Sequence, residues 1–289
     1  MSLSSFYKIS IIVVSFNSAD LLKDCLTSLF ENPLKNSFEI LVVDNASRDG
    51  SAEMVKKNFP KVRLIENNKN VGFAAANNLA IKSSQSEYIL LINSDCQVYG
   101  TSLDSMVSFM SRYEKAGIAG PKIINSDGSI QFSCRRFPSI FDAGMHTLLT
   151  NIAPDNPFSR RYKLIDIKRD EPFEVDWVSG SCMLIRRKAL TDTGYMDENY
   201  FMYVEDIDIC YQMWKKGWKV FYYPYAEILH HVGGSIKGDV VSASVRMQKS
   251  VLYFFWKNYR KSWKIVLLPL ILPVLGLRIF LTFIKNLLK

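Results

Sequence analysis

The first 120 residues alternate between short apolar runs rich in β-branched residues and segments with helical spacing. The runs are "ISIIVVSF", "FEILVVDN", "VRLIEN" and "EYILLINSD", and each is followed by a helical pattern such as "ADLLKDCLTSLF" after the first. Four successive strand–helix units predict a parallel sheet that helices cover on both faces. Ligands of such sheets bind outside the carboxyl ends of the strands, so the residues that follow the runs are the first candidates for a site.

Polar residues follow three of these four runs. Ser15 and Asn17 end the first run, Asp44 ends the second, and Asn93 and Asp95 end the fourth. Ser, Asn and Asp are common turn residues, so each position taken alone is explained by a turn. Three such groups at one edge of a sheet predict a binding site.

Two common phosphate-binding motifs do not occur in this sequence. The loop after the first strand reads "SFNSAD", without the GxGxxG pattern of a dinucleotide site, and no GxxxxGK[ST] P-loop is present. A bound phosphate must therefore be held by side chains, by a metal ion, or by both.

The net charge of +8 belongs to the C-terminal end of the chain. Nine of the 36 Lys and Arg residues, and none of the 28 Asp and Glu residues, lie at or beyond residue 240. The remainder is nearly neutral, so nucleic acid is not indicated as a partner. Between Lys264 and Lys285 only Arg278 is charged, and such a length can span a bilayer. Two prolines and a basic flank fit equally well a helix at an anionic membrane surface, and a core helix closing the domain is the remaining alternative.

The cysteines and the N-terminus predict a cytoplasmic location. Five cysteines show no CxxC or CxxH spacing, which is typical of reduced core thiols rather than of disulfides or a zinc site. The N-terminus lacks the apolar run of a signal peptide. We expect a catalytic domain over residues 1–239, with a nucleotide-binding half at about 8–120 and an acceptor half at about 121–239. A helical tail over 240–289 would attach it to the cytoplasmic face of the cell membrane.

Three carboxylates cluster in "FMYVEDIDICYQMWKKGW", residues 201–218. Glu205, Asp206 and Asp208 precede apolar residues at helical spacing, so they occupy the first turn of a half-buried helix. Acidic residues there complement the helix dipole, which is one interpretation. The other is catalytic, since partial burial of Asp206 beside two carboxylates would raise its pKa to suit a general base.

Six segments, in this order and spacing, resemble glycosyltransferase family 2, of the GT-A fold, and most of all its rhamnosyltransferase-like branch. They are "IIVVSFNS", "VVDNASRDGS", "NKNVGFAAANN", "INSDC", "DWVSGSCMLIRR" and "FMYVEDIDICYQMWKKGW", with "HHVGGS" after them. The resemblance implies an α/β fold with a mixed, mainly parallel sheet flanked by helices. It also implies an inverting enzyme that transfers a sugar from a nucleotide-diphosphate donor, with dTDP-rhamnose or a UDP-sugar favoured.

The resemblance implies a nucleotide and metal site. Asp44 is similar to the aspartate that hydrogen-bonds the pyrimidine, and Asp95 to the last aspartate of the DXD motif, which binds a divalent cation. His230 is similar to a further metal ligand, and an imidazole suits Mn²⁺ better than Mg²⁺. Asn93 replaces the first aspartate of the motif, which removes one negative ligand. The other residues implied for the nucleotide pocket are Ser15, Asn17, Asn70, Gly72 and Asn77.

The resemblance also implies catalytic and acceptor residues. Asp206 is similar to the general base that takes the proton of the acceptor hydroxyl, and Glu205 is its acidic neighbour. Trp177, Gly180 and Asp208 would shape the sugar and acceptor pocket. The implied acceptor is a saccharide used in cell-surface polysaccharide synthesis, and a lipid-linked one fits a tail that brings the site to the membrane.

Some alternatives stay open at this point. A sugar-1-phosphate nucleotidyltransferase would use a similar sheet, although it needs a glycine-rich and basic first loop that residues 15–20 lack. A non-catalytic sugar-nucleotide binder is the second rival. Several basic residues are either phosphate contacts or solvated surface: Arg135, Arg136, Arg186, Arg187 and Lys257. Of the remaining histidines, His231 competes with His230 for the metal role, and His146 is expected to be structural.

Overall fold

The protein is described by a computed structural model at residues 7–139, 153, 155–231 and 240–287. His146 and the last four residues of "HHVGGS" lie outside these ranges.

The N-terminal half consists of strand–helix units. It comprises β1 (Ile9–Ser15), α1 (Ala19–Glu31), β2 (Phe38–Asp44), α2 (Ser51–Asn58), β3 (Arg63–Glu66), α3 (Phe73–Lys82), β4 (Tyr88–Asn93), β5 (Cys96–Val98) and α4 (Ser102–Arg112). Strands β1 to β4 are parallel and lie in the order β3-β2-β1-β4. The parallel sheet predicted from the alternating pattern is therefore confirmed.

The second half extends the same sheet beyond β4, and β3 remains the opposite edge. It comprises β6 (Ala116–Ile124), β7 (Ile130–Gln131), β8 (Cys134–Arg135), α5 (Pro157–Lys163), β9 (Phe173–Glu174), β10 (Trp177–Val178), β11 (Cys182–Arg186), α6 (Arg187–Thr193), α7 (Glu205–Lys215) and β12 (Lys219–His230). Strand β11 runs antiparallel to β4 and β6, whereas β12 runs parallel to β6 and antiparallel to β5. The sheet is mixed, as expected, and β8 pairs with β10 in a separate small sheet.

Apolar side chains are buried on both faces of the sheet. In β1, Ile11 and Val13 belong to one core cluster and Ile12 to the other, because successive side chains of a strand point to opposite faces. Helices α1 and α4 contribute to the first cluster, and α3 and α7 to the second. Burial on both faces explains why the first strands are uninterrupted apolar runs.

The C-terminal segment comprises α8 (Val240–Tyr259), a 3₁₀ turn (Trp263–Leu267) and α9 (Leu268–Leu287). Phe254, Phe255 and Leu275 are buried in the same cluster as the sheet, so the packed core continues beyond the predicted boundary at residue 239. In the ranges that the structure describes, no helix combines the length and apolar character needed to cross a membrane. Attachment of this segment to a membrane surface stays a prediction.

Candidate active site

The loops that follow β1 and β2 are joined by hydrogen bonds at the carboxyl edge of the sheet. Asn17, with φ of +52°, donates its backbone N–H to Ser47 Oγ at 2.9 Å and accepts from the Arg48 N–H at 2.8 Å. Asp44 is 4% exposed, and its Oδ2 accepts from the Ser47 N–H at 2.9 Å. Its Oδ1 is buried without a hydrogen-bond partner among the described residues. A buried acceptor is costly unless a donor meets it, and a pyrimidine N–H is such a donor.

Two residues predicted to line the nucleotide pocket lie inside the protein. Ser15 is fully buried, and its hydroxyl lies 3.1 Å from that of Ser18, which donates to Ser94 Oγ at 3.0 Å. Asn77 is 1% exposed and donates to the Phe73 carbonyl oxygen within α3. The pocket-lining prediction for both residues is corrected because their side chains are enclosed, and Ser15 instead supports the loop that carries Ser94.

Asn70 and Gly72 form the turn that leads into α3. The Gly72 N–H donates to Asn70 Oδ1 at 2.9 Å, and Gly72 has φ of +90°. A Cβ at this position would lie 2.5 Å from the carbonyl oxygen of Phe201. That oxygen accepts from the Phe73 N–H at 2.7 Å, so a glycine is required for the segment before α7 to approach the nucleotide-binding half.

Asp95 and His230 meet beyond the end of β4. The antiparallel pairing of β12 with β5 places His230 opposite Cys96, and His230 Nε2 lies 3.2 Å from Asp95 Oδ1. His230 Nδ1 is 2.9 Å from Gln131 Oε1, which favours the tautomer with the proton on Nδ1 and the lone pair on Nε2. One carboxylate oxygen and one imidazole nitrogen fit a divalent cation such as Mn²⁺, with further positions left to substrate and water.

Cys96 is close to this pair but does not fit a ligand role. Its Sγ, the Asp95 carboxylate and a ring nitrogen of His230 lie within 4.8 Å of one another. However, the thiol donates to the Ser181 carbonyl oxygen at 3.3 Å, and burial raises its pKa well above the ordinary value. The other histidine, His231, has its Nδ1 2.8 Å from Ser126 Oγ, so His230 is the histidine beside Asp95. Gln131 was missed by sequence analysis, since only the fold brings it to His230.

The segment Ser179–Ser181 connects the end of β4 to Asp206. The Ser181 carbonyl oxygen accepts from the Asn93 N–H at 2.9 Å. The Gly180 N–H donates to Asp206 Oδ2 at 2.9 Å, and the Ile207 N–H donates to Oδ1 at 2.8 Å. Each carboxylate oxygen keeps a free lone pair. Burial raises the pKa of Asp206, and these two hydrogen bonds act in the opposite direction.

Strained backbone precedes these carboxylates. Tyr203 and Val204 have φ of +71° and +72°, a conformation that costs a β-branched residue energy and is concentrated at functional sites. Glu205 is 6% exposed, and burial together with the charge of Asp206 raises the pKa of Glu205 well above its usual range. The sequence predicted partial burial of Asp206, and the structure shows that its neighbour Glu205 is the more deeply buried of the two. The Glu205 side chain is enclosed, so the Asp206 carboxylate is the more accessible of the two to a substrate.

Asp208, predicted to shape the acceptor pocket, is held in a buried ion pair. This residue is 2% exposed, and its Oδ2 lies 2.6 Å from Lys257 Nζ. Its Oδ1 accepts from the side-chain amides of Asn258 and Gln212 at 3.0 and 3.3 Å. Lys257 also pairs with Asp197 at 2.7 Å, so it is not free to hold a phosphate. The pair instead connects α8 to α7.

Trp177 and Arg135 lie opposite each other in the small sheet of β10 and β8. Trp177 donates its indole N–H to the Arg136 carbonyl oxygen at 2.8 Å. The Arg135 guanidinium lies 5.4 Å from the Trp177 ring centroid, and its charge lowers the pKa of Asp206 against the larger effect of burial. Arg135 is therefore near the carboxylate and remains a candidate phosphate contact.

Arg186 and Arg187 are structural. Arg186 donates to the backbone carbonyl oxygens of Ala116 and Met110, and Arg187 donates to Ser84 Oγ and the Ser86 carbonyl oxygen. These bonds occupy both guanidinium groups at the far ends of β4 and β11, so neither side chain is a phosphate contact.

Comparison with known proteins finds relatives that align with most of this chain. The profile described as glycosyl transferase family 2 matches residues 10–194. An N-acetylglucosaminyl-diphospho-decaprenol L-rhamnosyltransferase of Mycobacterium tuberculosis is 33% identical over 270 residues, which cover 88% of this chain and 86% of the relative. A rhamnosyltransferase of Escherichia coli K12 is 25% identical over 234 residues, covering 76% of this chain and 82% of the relative.

Solved glycosyltransferase structures share the fold. A mannosyltransferase from Pyrobaculum calidifontis, in complex with GDP-Man and Mn²⁺, aligns with a TM-score of 0.59 and 16% identity, over 95% of this chain and 74% of the other. GalNAc-T7 with UDP, GalNAc and Mn²⁺ aligns with a TM-score of 0.59 and 17% identity, over 87% of this chain and 50% of that chain. The chain thus spans half the length of GalNAc-T7, and the GT-A-like architecture is common to all three.

Proposed function

The chain belongs to glycosyltransferase family 2 and is a glycosyltransferase. From this premise we propose that it transfers a sugar from a nucleotide-diphosphate donor. The first candidate is L-rhamnose from dTDP-rhamnose, and the second is the sugar of a UDP-sugar. The proposed acceptor is N-acetylglucosamine carried on a lipid diphosphate, for a cell-surface polysaccharide. The Mycobacterium tuberculosis relative, whose name states these groups, supports the sugar and the acceptor. Family membership sets aside the nucleotidyltransferase and the non-catalytic binder.

One observation carries the proposal: Asp206 is held next to the end of β4. Its Oδ2 accepts from Gly180 at 2.9 Å, and the adjacent Ser181 accepts from Asn93 at 2.9 Å. A base and the donor-binding edge of the sheet are thereby fixed relative to each other by backbone hydrogen bonds. Such preorganisation is what a displacement between two bound substrates requires.

Each role in the proposed reaction is assigned to particular residues of this chain. Asp44 would accept a hydrogen bond from the base of the donor through Oδ1, and Asp95 and His230 would hold a divalent cation. When bound, that cation neutralises the charge of the leaving diphosphate as a Lewis acid. Asp206 would take the proton of the acceptor hydroxyl, worth about 10²–10⁴-fold in rate.

The proposed chemistry is a single displacement. The acceptor oxygen forms a bond to the anomeric carbon while the bond from that carbon to the diphosphate oxygen breaks, and the electron pair leaves with the nucleoside diphosphate. The proton passes to Asp206. Attack from the face opposite the leaving group inverts the anomeric configuration.

The exposed face of the C-terminal segment supports attachment to an anionic membrane surface. Trp263 is 71% exposed and Val266 67%, and α9 adds exposed Leu272, Leu277 and Phe280. Arg260 lies 4.7 Å from the Trp256 ring centroid, so cationic and aromatic side chains are adjacent there. Apolar side chains mixed with basic ones suit the interface of anionic lipids. We therefore place the enzyme at the cytoplasmic face of the cell membrane.

The function is tested by incubating the protein with dTDP-rhamnose and with UDP-sugars, using a short prenyl-diphospho-N-acetylglucosamine as acceptor, in Mn²⁺, Mg²⁺ or EDTA. We expect metal-dependent transfer from one donor, and NMR of the product should show the inverted anomeric configuration. Absence of transfer from every donor, undiminished transfer in EDTA, or a retained configuration would each contradict the proposal. Sedimentation with vesicles tests the attachment to the membrane. We expect the protein to sediment with phosphatidylglycerol vesicles but not with phosphatidylcholine vesicles. A protein that sediments with neither kind of vesicle would refute the attachment.

A further inference from the structure

Arg135 of β8 forms a cationic site against the aromatic rings of Trp177 and of Tyr162, which lies on α5. The Arg135 guanidinium carbon is 5.4 Å from the Trp177 ring centroid and 5.6 Å from that of Tyr162. Its Nε donates to the Phe132 carbonyl oxygen at 3.1 Å, and its side chain hydrogen-bonds that of Tyr162. The two rings and these bonds fix the guanidinium plane, and the group still has further N–H donors for a ligand.

Arg278 of α9 joins this site from the C-terminal segment. Leu275, one helical turn earlier, is 7% exposed and belongs to the core cluster that contains Tyr162 and Trp177. Residues three apart share a helix face, so Arg278 faces the same way. Burial lowers the pKa of Arg278, and the charge of Arg135 lowers it further, which agrees with two neighbouring guanidinium groups.

Asp206 is the carboxylate on which the charge of Arg135 acts. Within the described ranges, no carboxylate oxygen lies at salt-bridge distance from Arg135 or Arg278. The nearby Asp206 is held by backbone N–H groups instead. Two partly buried like charges repel each other and lose hydration. A ligand with two negative charges offsets both costs, and guanidinium groups match phosphate oxygens bidentately.

We propose that Arg135 and Arg278 hold the diphosphate of the lipid-linked acceptor, so that α9 takes part in substrate recognition as well as in membrane attachment. This inference rests on the proposed function, which supplies a diphosphate on the acceptor. The donor diphosphate is assigned to a separate place, at Asp95 and His230. The other side of α9 exposes Leu277 and Phe280, where a lipid chain in the membrane would bring its diphosphate to the level of Arg278.

The first experiment measures binding without turnover. Inorganic pyrophosphate is titrated calorimetrically into the full chain in EDTA, which disables the proposed metal-dependent donor site. We expect Arg278→Gln and Arg135→Gln to weaken binding about tenfold or more, as for a lost charge-assisted hydrogen bond. Arg112→Gln, an exposed arginine on α4, is the charge-matched control and should bind like the wild type. Equal affinity in all four proteins would overturn the proposal.

The second experiment identifies the source of the diphosphate. Arg278→Gln should raise KM about tenfold for prenyl-diphospho-N-acetylglucosamine, while KM for an alkyl N-acetylglucosaminide and the Kd of dTDP with Mn²⁺ stay unchanged. Arg278→Lys, which keeps the charge, should recover part of the loss. An equal rise in KM for both acceptors would overturn the proposal. A weakened dTDP affinity would also overturn it, because it would assign the site to the donor.

The two experiments separate this inference from the proposed function. Weakened pyrophosphate binding in a protein that transfers no sugar would retain the diphosphate site and reject the proposed function. Sugar transfer with no discrimination between the acceptors would retain the function and reject the site. Circular dichroism melting of each variant shows whether an effect comes from unfolding, and Arg278→Lys provides the second variant if Arg278→Gln does not fold.

Discussion

The ion pair between α7 and α8 makes a quantitative prediction about how the C-terminal segment is held. Lys257 Nζ lies 2.6 Å from Asp208 Oδ2 and 2.7 Å from Asp197 Oδ2, and the three side chains are 25%, 3% and 15% exposed. Lys257→Met keeps the aliphatic stem and removes the charge. Asp208 would then be a buried carboxylate without a cation.

The expected loss is about 3 kcal/mol. Removing one partner of a buried pair typically costs about 3–5 kcal/mol, because the other charge stays desolvated. The amide donors Asn258 and Gln212 still reach Asp208 Oδ1, which places the estimate at the lower end of that range. In a chain of this size, each kcal/mol of lost stability lowers the melting temperature by about 2–4 °C. A loss of about 3 kcal/mol should therefore lower it by roughly 6–12 °C.

Thermal melting followed by circular dichroism measures this change. Lys56→Met is the matched control, since Lys56 and Glu66 pair at 2.8 Å with side chains 54% and 48% exposed, and an exposed pair contributes little. Adding Asp208→Asn to Lys257→Met should restore part of the stability, because the unpaired charge is removed. Equal melting temperatures for Lys257→Met and Lys56→Met would refute this reasoning. A weakened dTDP affinity in Lys257→Met at unchanged stability would instead restore its predicted phosphate role.

Three further predictions concern single positions. Gly72→Ala should lose about 2 kcal/mol or more, measured by urea unfolding, because its Cβ would meet the Phe201 carbonyl oxygen at 2.5 Å; an unchanged midpoint would contradict this. Glu205 has a raised pKa, so stability should fall as pH rises above the ordinary glutamate range, where the unfolded chain releases a proton that the folded one keeps. Glu205→Gln should flatten the melting temperature between about pH 5 and 7, and a slope equal to that of the wild type would oppose this account. Gln131→Ala should weaken activation by Mn²⁺ about 10–100-fold, because Gln131 orients His230, and an unchanged activation constant would show that it does not.

Much of the fold was predictable from local sequence patterns. The four apolar runs and their helices predicted a parallel sheet because burial on both faces leaves uninterrupted β-branched runs. The polar residues after these runs were predicted to share one edge of the sheet, and Asp44 and Asp95 lie there. These predictions succeed because strands that alternate with helices along the chain are parallel, so their carboxyl ends lie at the same edge of the sheet.

Contacts between distant segments were not predictable in this way. Helical spacing places Asp208 on α7, but only the packing of α8 reveals that Lys257 pairs with it. The same spacing could not rank the burial of Glu205 and Asp206, since burial depends on which elements cover the first turn. The sequence shows Arg278 only as the single charge between Lys264 and Lys285, and the effect of the Arg135 charge on it depends on where α9 packs.

The central claim is that Asp206 activates the acceptor after the donor has bound elsewhere. It is tested most directly by Asp206→Asn, which keeps the shape of the side chain and one acceptor oxygen for the backbone N–H groups of Gly180 and Ile207, but cannot take a proton. Single-turnover transfer from preloaded donor should fall about 10²–10⁴-fold, while calorimetry should give an unchanged Kd for dTDP with Mn²⁺. A transfer rate within a few-fold of the wild type, or a loss of rate explained entirely by weaker dTDP binding, would contradict the assignment of Asp206 as the base.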